Sequence, residues 1–241
     1  MRRGGFTFKQ FHIDHSLCAM KVGTDGTLLG AWASLKAEAK RILDIGTGSG
    51  LIAIMVAQRH GSAQITAIDI DPDCVKQASE NAMASPWGER IEVIHSAVQE
   101  FTQSAEAESY DIIVSNPPYF VDSMLSPDRQ RSTARHTSTL SFNELVDSVL
   151  RLLSKDGTFA LILPTTESER LLSAARGRLF VKRRTEVWST PTSGARRILM
   201  ELQKEPPATP PVSEKLIIEE GGRHIYSEEY KALTADFYLN F

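Results

Sequence analysis

From Arg41 onward the chain alternates between short apolar runs and longer stretches whose apolar positions recur every three or four residues. RILDI (41–45) reads as a strand, GTGSG (46–50) as a flexible turn and LIAIMVAQR (51–59) as an apolar-periodic helix, which together form the first half of a strand-helix-strand unit. QITAID (64–69) supplies the second strand, and Pro72 falls where a helix accepts a proline in its first turn, opening a helix to about Ala84. RIEVIH (90–95) and YDIIVS (110–115) are a third and a fourth strand, Phe142 to Leu153 a helix and TFALIL (158–163) a fifth strand. After Pro164 come a helix near Glu167 to Arg176 and two strand-like runs, Phe180 to Trp188 and Arg197 to Gln203, joined by STPTSGA. A Pro/Ser/Gly turn between such runs predicts an antiparallel hairpin at the sheet edge. Strands alternating with helices predict an α/β architecture, a Rossmann-like doubly wound seven-stranded sheet with an antiparallel C-terminal hairpin.

The flanks differ from this repeat. LLGAWA (28–33) reads as a helix, KVGTDG (21–26) as a loop before it, and EPPATPP (205–211) as a stiff spacer with few backbone donors. The aromatic-rich tail beyond the spacer is expected to pack back on the main body. Residues 1–36 are therefore expected to complete the site, 37–204 to form the main domain, and 205–241 to be spacer and tail.

Composition narrows the class. The chain has 241 residues, 41% hydrophobic and 24% charged, enough for one sizeable core and unlike a disordered or membrane chain. No run approaches the roughly 20 apolar residues of a membrane span. MRRGGFTFKQFHID lacks the apolar stretch of a signal peptide. Two distant cysteines, Cys18 and Cys74, with no Cys/His metal spacing, fit a reducing cytoplasmic setting and no bound metal. No extended apolar seam is visible, so a monomer is expected. The net charge of -3 conceals an uneven distribution. Arg170, Arg176, Arg178, Lys182, Arg183, Arg184, Arg196, Arg197 and Lys204 face only Glu186 and Glu201 within 170–204. That excess is either an RNA face or a charged surface.

Candidate chemistry begins at the first turn. Gly46, Gly48 and Gly50 let the backbone turn sharply and a ligand lie close against it. Dinucleotide-binding folds use the related G-x-G-x-x-G. Here the spacing is G-x-G-x-G, preceded by Asp44, and Asp69 closes the second strand. Carboxylates at both strand ends suit a ligand with an amino group and ribose hydroxyls but no phosphate. Asp71 reads as the cap of the helix at Pro72.

On these residues the chain resembles the class I S-adenosylmethionine-dependent methyltransferases. The resemblance implies that family's fold, S-adenosylmethionine as cofactor, the glycine turn beside its methionine part, and Asp69 on its ribose hydroxyls. The pattern departs at Ala97, where the family often carries an acid facing the cofactor adenine. Val98 packing on the ring, with backbone groups, is expected to serve instead.

The fourth strand ends in SNPPYF (115–120), where two prolines stop a strand and hold a rigid turn. The exocyclic amine of adenine is a poor nucleophile because its lone pair is delocalised into the ring. The side-chain oxygen of Asn116 and the carbonyl of Pro117 can accept its two hydrogens and favour a tetrahedral nitrogen facing a methyl sulfonium. Tyr119 supplies a face for the base to stack on, worth on the order of 1–3 kcal/mol. Pro118 and Phe120 flank this clamp on the substrate side. In similar enzymes NPPY acts on planar nitrogen, mostly adenine N6, but also guanine N2 or a glutamine amide.

FKQF (8–11), MKVGTDGTLLGAWA (20–33), RHTSTLSF (135–142) and DFYL (236–239) resemble bacterial transfer-RNA adenine-N6 methyltransferases that act beside the valine anticodon. This implies N6 methylation of adenine 37 in an unpaired loop of tRNA. Lys21 is expected to meet a phosphate or the cofactor carboxylate, and Thr24 with Asp25 to be either a cofactor contact or a helix cap before Thr27. Arg129, Arg131, Arg135 and His136 lie in a polar loop that either orders on RNA phosphates or stays a solvated surface. Arg196 and Arg197 are candidate RNA contacts. Rival readings are methylation of guanine N2 in ribosomal RNA or of a glutamine in a translation factor, and a noncatalytic RNA-binding protein. A dehydrogenase leaves the clamp unexplained.

Overall fold

A computed structural model describes residues 4–117 and 140–240. Its centre is an eight-stranded sheet in the order β10-β8-β9-β7-β6-β3-β4-β5. The strands are β3 (Arg41–Ile45), β4 (Gln64–Asp69), β5 (Ile91–His95), β6 (Tyr110–Ser115), β7 (Leu153–Pro164), β8 (Phe180–Trp188), β9 (Ala195–Gln203) and β10 (Val212–Ile217). All neighbours are parallel except β9, which runs antiparallel to β7 and β8. Two short strands, β1 (Gly5–Thr7) and β2 (His12–Asp14), pair separately.

The central strands are continuous apolar runs because both faces are covered. Ile42, Ile112, Val114, Ala160 and Ile162 point into one core with Leu28, Leu29, Trp32, Ile52 and Val56. The alternate residues Leu43, Ile113, Phe159, Leu161 and Leu163 point into the other with Leu145, Val149 and Leu171. The first group of helices comprises α1 (Thr24–Trp32) and α2 (Leu51–Arg59), and the second includes α5 (Phe142–Leu152) and α6 (Thr165–Ala175). α3 (Pro72–Ala84) packs beside β5, and α4 (Val98–Ser104) packs against α5. The short α4 was not anticipated from sequence. α5 opens on a capping box, with Glu144 N–H donating to Ser141 Oγ at 3.2 Å and Ser141 N–H to Glu144 Oε2 at 2.8 Å.

The seven expected strands are joined by an eighth. β10 pairs with β8 in parallel from Val212 opposite Arg183 to Ile217 opposite Trp188. The hairpin β8-β9 is therefore not the sheet edge: β9 lies inside, and the tail beyond the proline spacer covers the unpaired groups of β8. α7 (Glu228–Thr234) follows, and the chain end reaches the N-terminus. Lys9 N–H donates to Phe237 O at 2.8 Å, and the Phe8 ring stacks on Phe11 at 4.6 Å. Among the described residues no helix is long and apolar enough to cross a membrane.

Much of the basic stretch 170–204 is paired with acids, most of them from outside it. Lys204 pairs with Glu108 at 2.7 Å, Arg183 with Glu214 at 3.0 Å, Arg170 with Glu167 at 3.2 Å, Arg184 with Glu186 at 3.4 Å, and Arg178 with Asp147. A net excess counted along the chain is thus not a free basic face once the sheet has brought in its partners.

α1 owes its position to a close approach. A Cβ at Gly30 would lie 2.7 Å from Met55 Sδ and 2.9 Å from Met55 Cβ on α2. Arg59 of α2 donates to Gly30 O at 2.9 Å and Ala33 O at 2.8 Å, and Trp32 Nε1 donates to Thr185 Oγ1 at 3.0 Å. Gly30→Val is expected to lower the unfolding free energy by about 1–3 kcal/mol through overpacking, less a helix-propensity gain below about 1 kcal/mol. A urea midpoint at or above that of the wild type would refute this account of the α1-α2 contact.

Candidate active site

In an open α/β sheet, ligands bind beyond the carboxyl ends of the strands where strand order reverses. Here that point lies between β3 and β6. Ile45 is opposite Ser115 on β6 and opposite Ile68 on β4, and Asp69 is opposite His95 on β5. Asn116, Gly46 and Asp69 therefore stand at one level at the ends of three adjacent strands, about 4.8 Å apart, with Ser96 one residue further along the fourth. They line a cavity of about 560 Å³, within the range of small-molecule sites.

The glycine turn is built as its sequence suggests. Gly46 and Gly48 have φ of 72° and 55°, and a Cβ at either would meet nothing within 4 Å, so the open side of the turn is the cavity. Gly46 and Thr47 N–H groups both donate to Ile68 O, at 2.9 and 3.0 Å, tying the turn to β4. Gly50 does not line the cavity. Its φ of 82° is combined with close packing on α3, where a Cβ would lie 3.3 Å from Ala78 Cα.

Asp44, expected at the ligand, lies beneath the turn and is fully buried. Thr47 Oγ1 donates to its Oδ2 at 2.7 Å, while Oδ1 has no partner among the described residues. Burial, reinforced by the charge of Asp69 and opposed by the Thr47 hydrogen bond, pushes its pKa up to about 7. Asp69 does line the cavity. Gly48 N–H donates to its Oδ2 at 2.8 Å and Asp71 N–H to its Oδ1 at 2.9 Å. Burial still raises its pKa against these bonds. Each oxygen keeps acceptor capacity for a hydroxyl donor. Asp71 caps α3 through Asp73 N–H at 2.9 Å, as the sequence indicates.

Beyond β6, Asn116 and Pro117 line the cavity, and the buried Asn116 Oδ1 has no partner among the described residues. Pro118, Tyr119, Phe120, Arg129, Arg131, Arg135 and His136 lie outside the described residues. Val98, at the start of α4, is buried and lines the cavity beside Ala97.

The opposite wall is a strap, residues 15–23, running into α1. Lys21 lines the cavity, but its ammonium donates to His15 O at 2.8 Å and Cys18 O at 2.9 Å. It clamps the strap, where a phosphate or carboxylate contact was expected. Val22 N–H donates to His15 Nδ1 at 3.1 Å, and burial, with the Lys21 charge, lowers the His15 pKa. Thr24 is already helical, and the cap position is Gly23, with no side-chain cap. Asp25 is no cap; it accepts from Arg197 Nε at 2.7 Å. Arg197, expected on RNA, thus closes the cavity mouth from β9, while Arg196 lies outside it. Thr24, Asp25 and Arg197 also border a second cleft of about 470 Å³ that Arg196 lines. Sequence reasoning missed Cys18, Met20, Ile70 and Cys74, which line the main cavity. Only Cys74 carried a signal, its place in the first turn of a helix pointing at the strand ends.

The family model of the methyltransferase small domain matches residues 25–163. A tRNA1(Val) (adenine(37)-N6)-methyltransferase of Phocaeicola vulgatus is 49% identical over 98% of this chain and 97% of its own. Proteins of the same name are 47% identical in Bacteroides thetaiotaomicron, over 98% and 97%, and 41% identical in Yersinia enterocolitica, over 100% and 95%. Among solved structures, a predicted O-methyltransferase of Agrobacterium tumefaciens has a TM-score of 0.68 at 21% identity, over 88% of this chain and 96% of its own. This last likeness is one of fold.

The Asp44 carboxyl generates a pH signature. Folded protein keeps its proton up to about pH 7, whereas an unfolded chain releases it near about pH 4. Wild-type stability from this group therefore falls as pH rises through that window, by up to ~1.4 kcal/mol per unit, and is level above it. Asp44→Asn removes the titration. Urea unfolding from pH 5 to 9 is expected to give a variant-minus-wild-type difference that rises to about pH 7 and then stays flat. A difference independent of pH would mean that Asp44 is ionised throughout.

Proposed function

Since the chain belongs to the methyltransferase small-domain family, we propose that it transfers a methyl group from S-adenosylmethionine to N6 of adenine 37 in tRNA1(Val). Full-length relatives of that name support the substrate. The observation that carries the chemistry is the buried Asn116 Oδ1, without a partner among the described residues, at the strand end beside the glycine turn.

The residues present fit the cofactor. Gly46 and Gly48 leave an open cradle where any Cβ would intrude on a ligand. Asp69, held by two backbone N–H groups, keeps lone pairs for two ribose hydroxyls. Val98 and the backbone at Ala97 bound the place for the adenine. When bound, S-adenosylmethionine supplies an electrophilic methyl group on a sulfonium.

Asn116 Oδ1 and the Pro117 carbonyl accept the two hydrogens of the target amine and hold its lone pair toward that methyl. This needs no base before attack, and none of the residues named acts as one. Tyr119 supplies the stacking face for the unpaired base. Residues 1–36 complete the site through the strap and α1. Arg129, Arg131, Arg135 and Arg196 carry the phosphate contacts, whereas Arg197 acts by holding Asp25.

Methyl transfer from labelled S-adenosylmethionine to unmodified tRNA1(Val) is expected to yield N6-methyladenosine, and none when adenine 37 is replaced by guanine. Transfer to ribosomal RNA or a protein glutamine alone would overturn the substrate. Asn116→Ala is expected to lower kcat/KM by about 100-fold or more, with the cofactor Kd within about twofold of the wild type. Asp69→Ala is expected to weaken cofactor binding by about 10–100-fold. Normal turnover by Asn116→Ala would remove the clamp from the mechanism.

A further inference from the structure

The two cysteines of this chain are far apart in sequence and meet in space. Cys18 sits in the strap and Cys74 in the first turn of α3, both are buried, and both line the main cavity. The strap lies along α3 in a fixed register. Asp14 N–H donates to Asn81 Oδ1 at 3.0 Å, Asn81 Nδ2 returns a bond to Asp14 O at 2.7 Å, and Leu17 N–H donates to Gln77 Oε1 at 3.2 Å. Residues 74, 77 and 81 share one face of a helix. The next strap residue after Leu17 therefore falls against the first turn, which places Cys18 beside Cys74 at the cavity wall. No step of methyl transfer uses either sulfur.

We propose that Cys18 and Cys74 are an oxidation site whose disulfide, formed by peroxide, joins the strap to α3 and locks the cavity walls together. The Cys18 thiolate attacks a peroxide oxygen, breaking the O–O bond to give a sulfenic acid and, with a proton, water. The Cys74 thiol then gives up its proton as its sulfur attacks the sulfenic sulfur, forming the S–S bond and expelling hydroxide, which takes up that proton to leave as a second water. Two electrons pass from the sulfurs to the peroxide. The Cys74 thiol and the nearby Lys21 ammonium favour thiolate at Cys18, against burial and the charges of Asp69 and Asp71. Cys74 is held as the thiol, chiefly by its neighbour Cys18, so Cys18 reacts first.

The bond sets the two sulfurs about 2.05 Å apart and ties the strap to α3, two walls of the cavity that a ligand would enter and leave. That consequence rests on the cofactor reading above; the oxidation itself does not. The test uses the full chain with hydrogen peroxide, denaturing alkylation, intact mass and S-adenosylhomocysteine exchange by stopped flow. Since the chain has two cysteines only, loss of two hydrogens with no alkylation identifies the bond. This loss is expected in wild type, slowed by saturating S-adenosylhomocysteine and absent from Cys74→Ser. Exchange by the oxidised protein is expected to be at least about tenfold slower and restored by dithiothreitol. Two alkylatable thiols after peroxide overturn the oxidation site. A disulfide with unchanged exchange overturns the lock. Reduced protein that fails to bind S-adenosylhomocysteine overturns the cofactor reading and the lock with it, while the mass change still decides the oxidation site.

Discussion

The register between β3 and β6 organises the rest of the molecule. These strands are neighbours in space but separated in sequence by the β4 and β5 units, so the sheet grows outward from them in both directions. α2, which follows β3, and α5, which comes next after β6 among the described residues, lie on opposite faces of the sheet, and the cavity opens at the carboxyl ends between them. With Ile45 opposite Ser115, a one-residue slip would exchange every inward and outward side chain of β6. It would also carry Asn116 away from the glycine turn. Ser115 Oγ donating to Ile45 O at 2.9 Å fixes the same register at the point of departure. The glycine turn and Asn116 are thus set against each other by the backbone ladder, with no long side chain needed to hold the distance.

The crevice is closed by parts of the chain outside the repeat. α1 docks on α2 through the gap at Gly30, the strap follows α3, and Arg197 reaches from β9 to Asp25. The strap has little apolar anchorage of its own: Leu17 and Met20 are 41% and 56% exposed. Its shape comes from hydrogen bonds to Gln77 and Asn81 and from Lys21 turned back on its own carbonyls. Segments held this way open at lower free energy than packed cores, which suits a wall that ligands must pass.

Much of this was legible in the sequence because it follows from periodicity and from backbone geometry that only certain residues accept. The bounds of β3, α2, β4, α3 and β6 follow from apolar runs ended by Gly, Pro and Asp. The glycine turn and the Asp71 cap are local, and the structure keeps them. What was not legible depended on partners distant in sequence. Whether Asp25 caps or pairs is decided by Arg197, 172 residues away. Whether Arg183 faces RNA is decided by Glu214, on a strand whose pairing no local pattern announces. Lys21 reads as a phosphate contact until the strap folds its carbonyls beneath the ammonium. α4 is a seven-residue helix, too short for a period to emerge.

Burial sorts the polar groups that remain. Asp44 and Asn116 each keep a buried oxygen without a partner among the described residues, and a buried unpaired group costs roughly 1–3 kcal/mol. The two are not equivalent. Asp44 lies behind the turn, and retaining its proton near neutrality relieves its isolation, so its part is to hold Thr47 and shape the cradle. Asn116 has no proton to gain, and it lines the cavity, where a donor on a ligand can satisfy it. In the proposed reaction the adenine amine offers two donors on a planar nitrogen, one for this oxygen and one for the Pro117 carbonyl beside it. On the proposed reading the substrate amine meets an acceptor that is unpaired among the described residues, and the same contacts raise its reactivity.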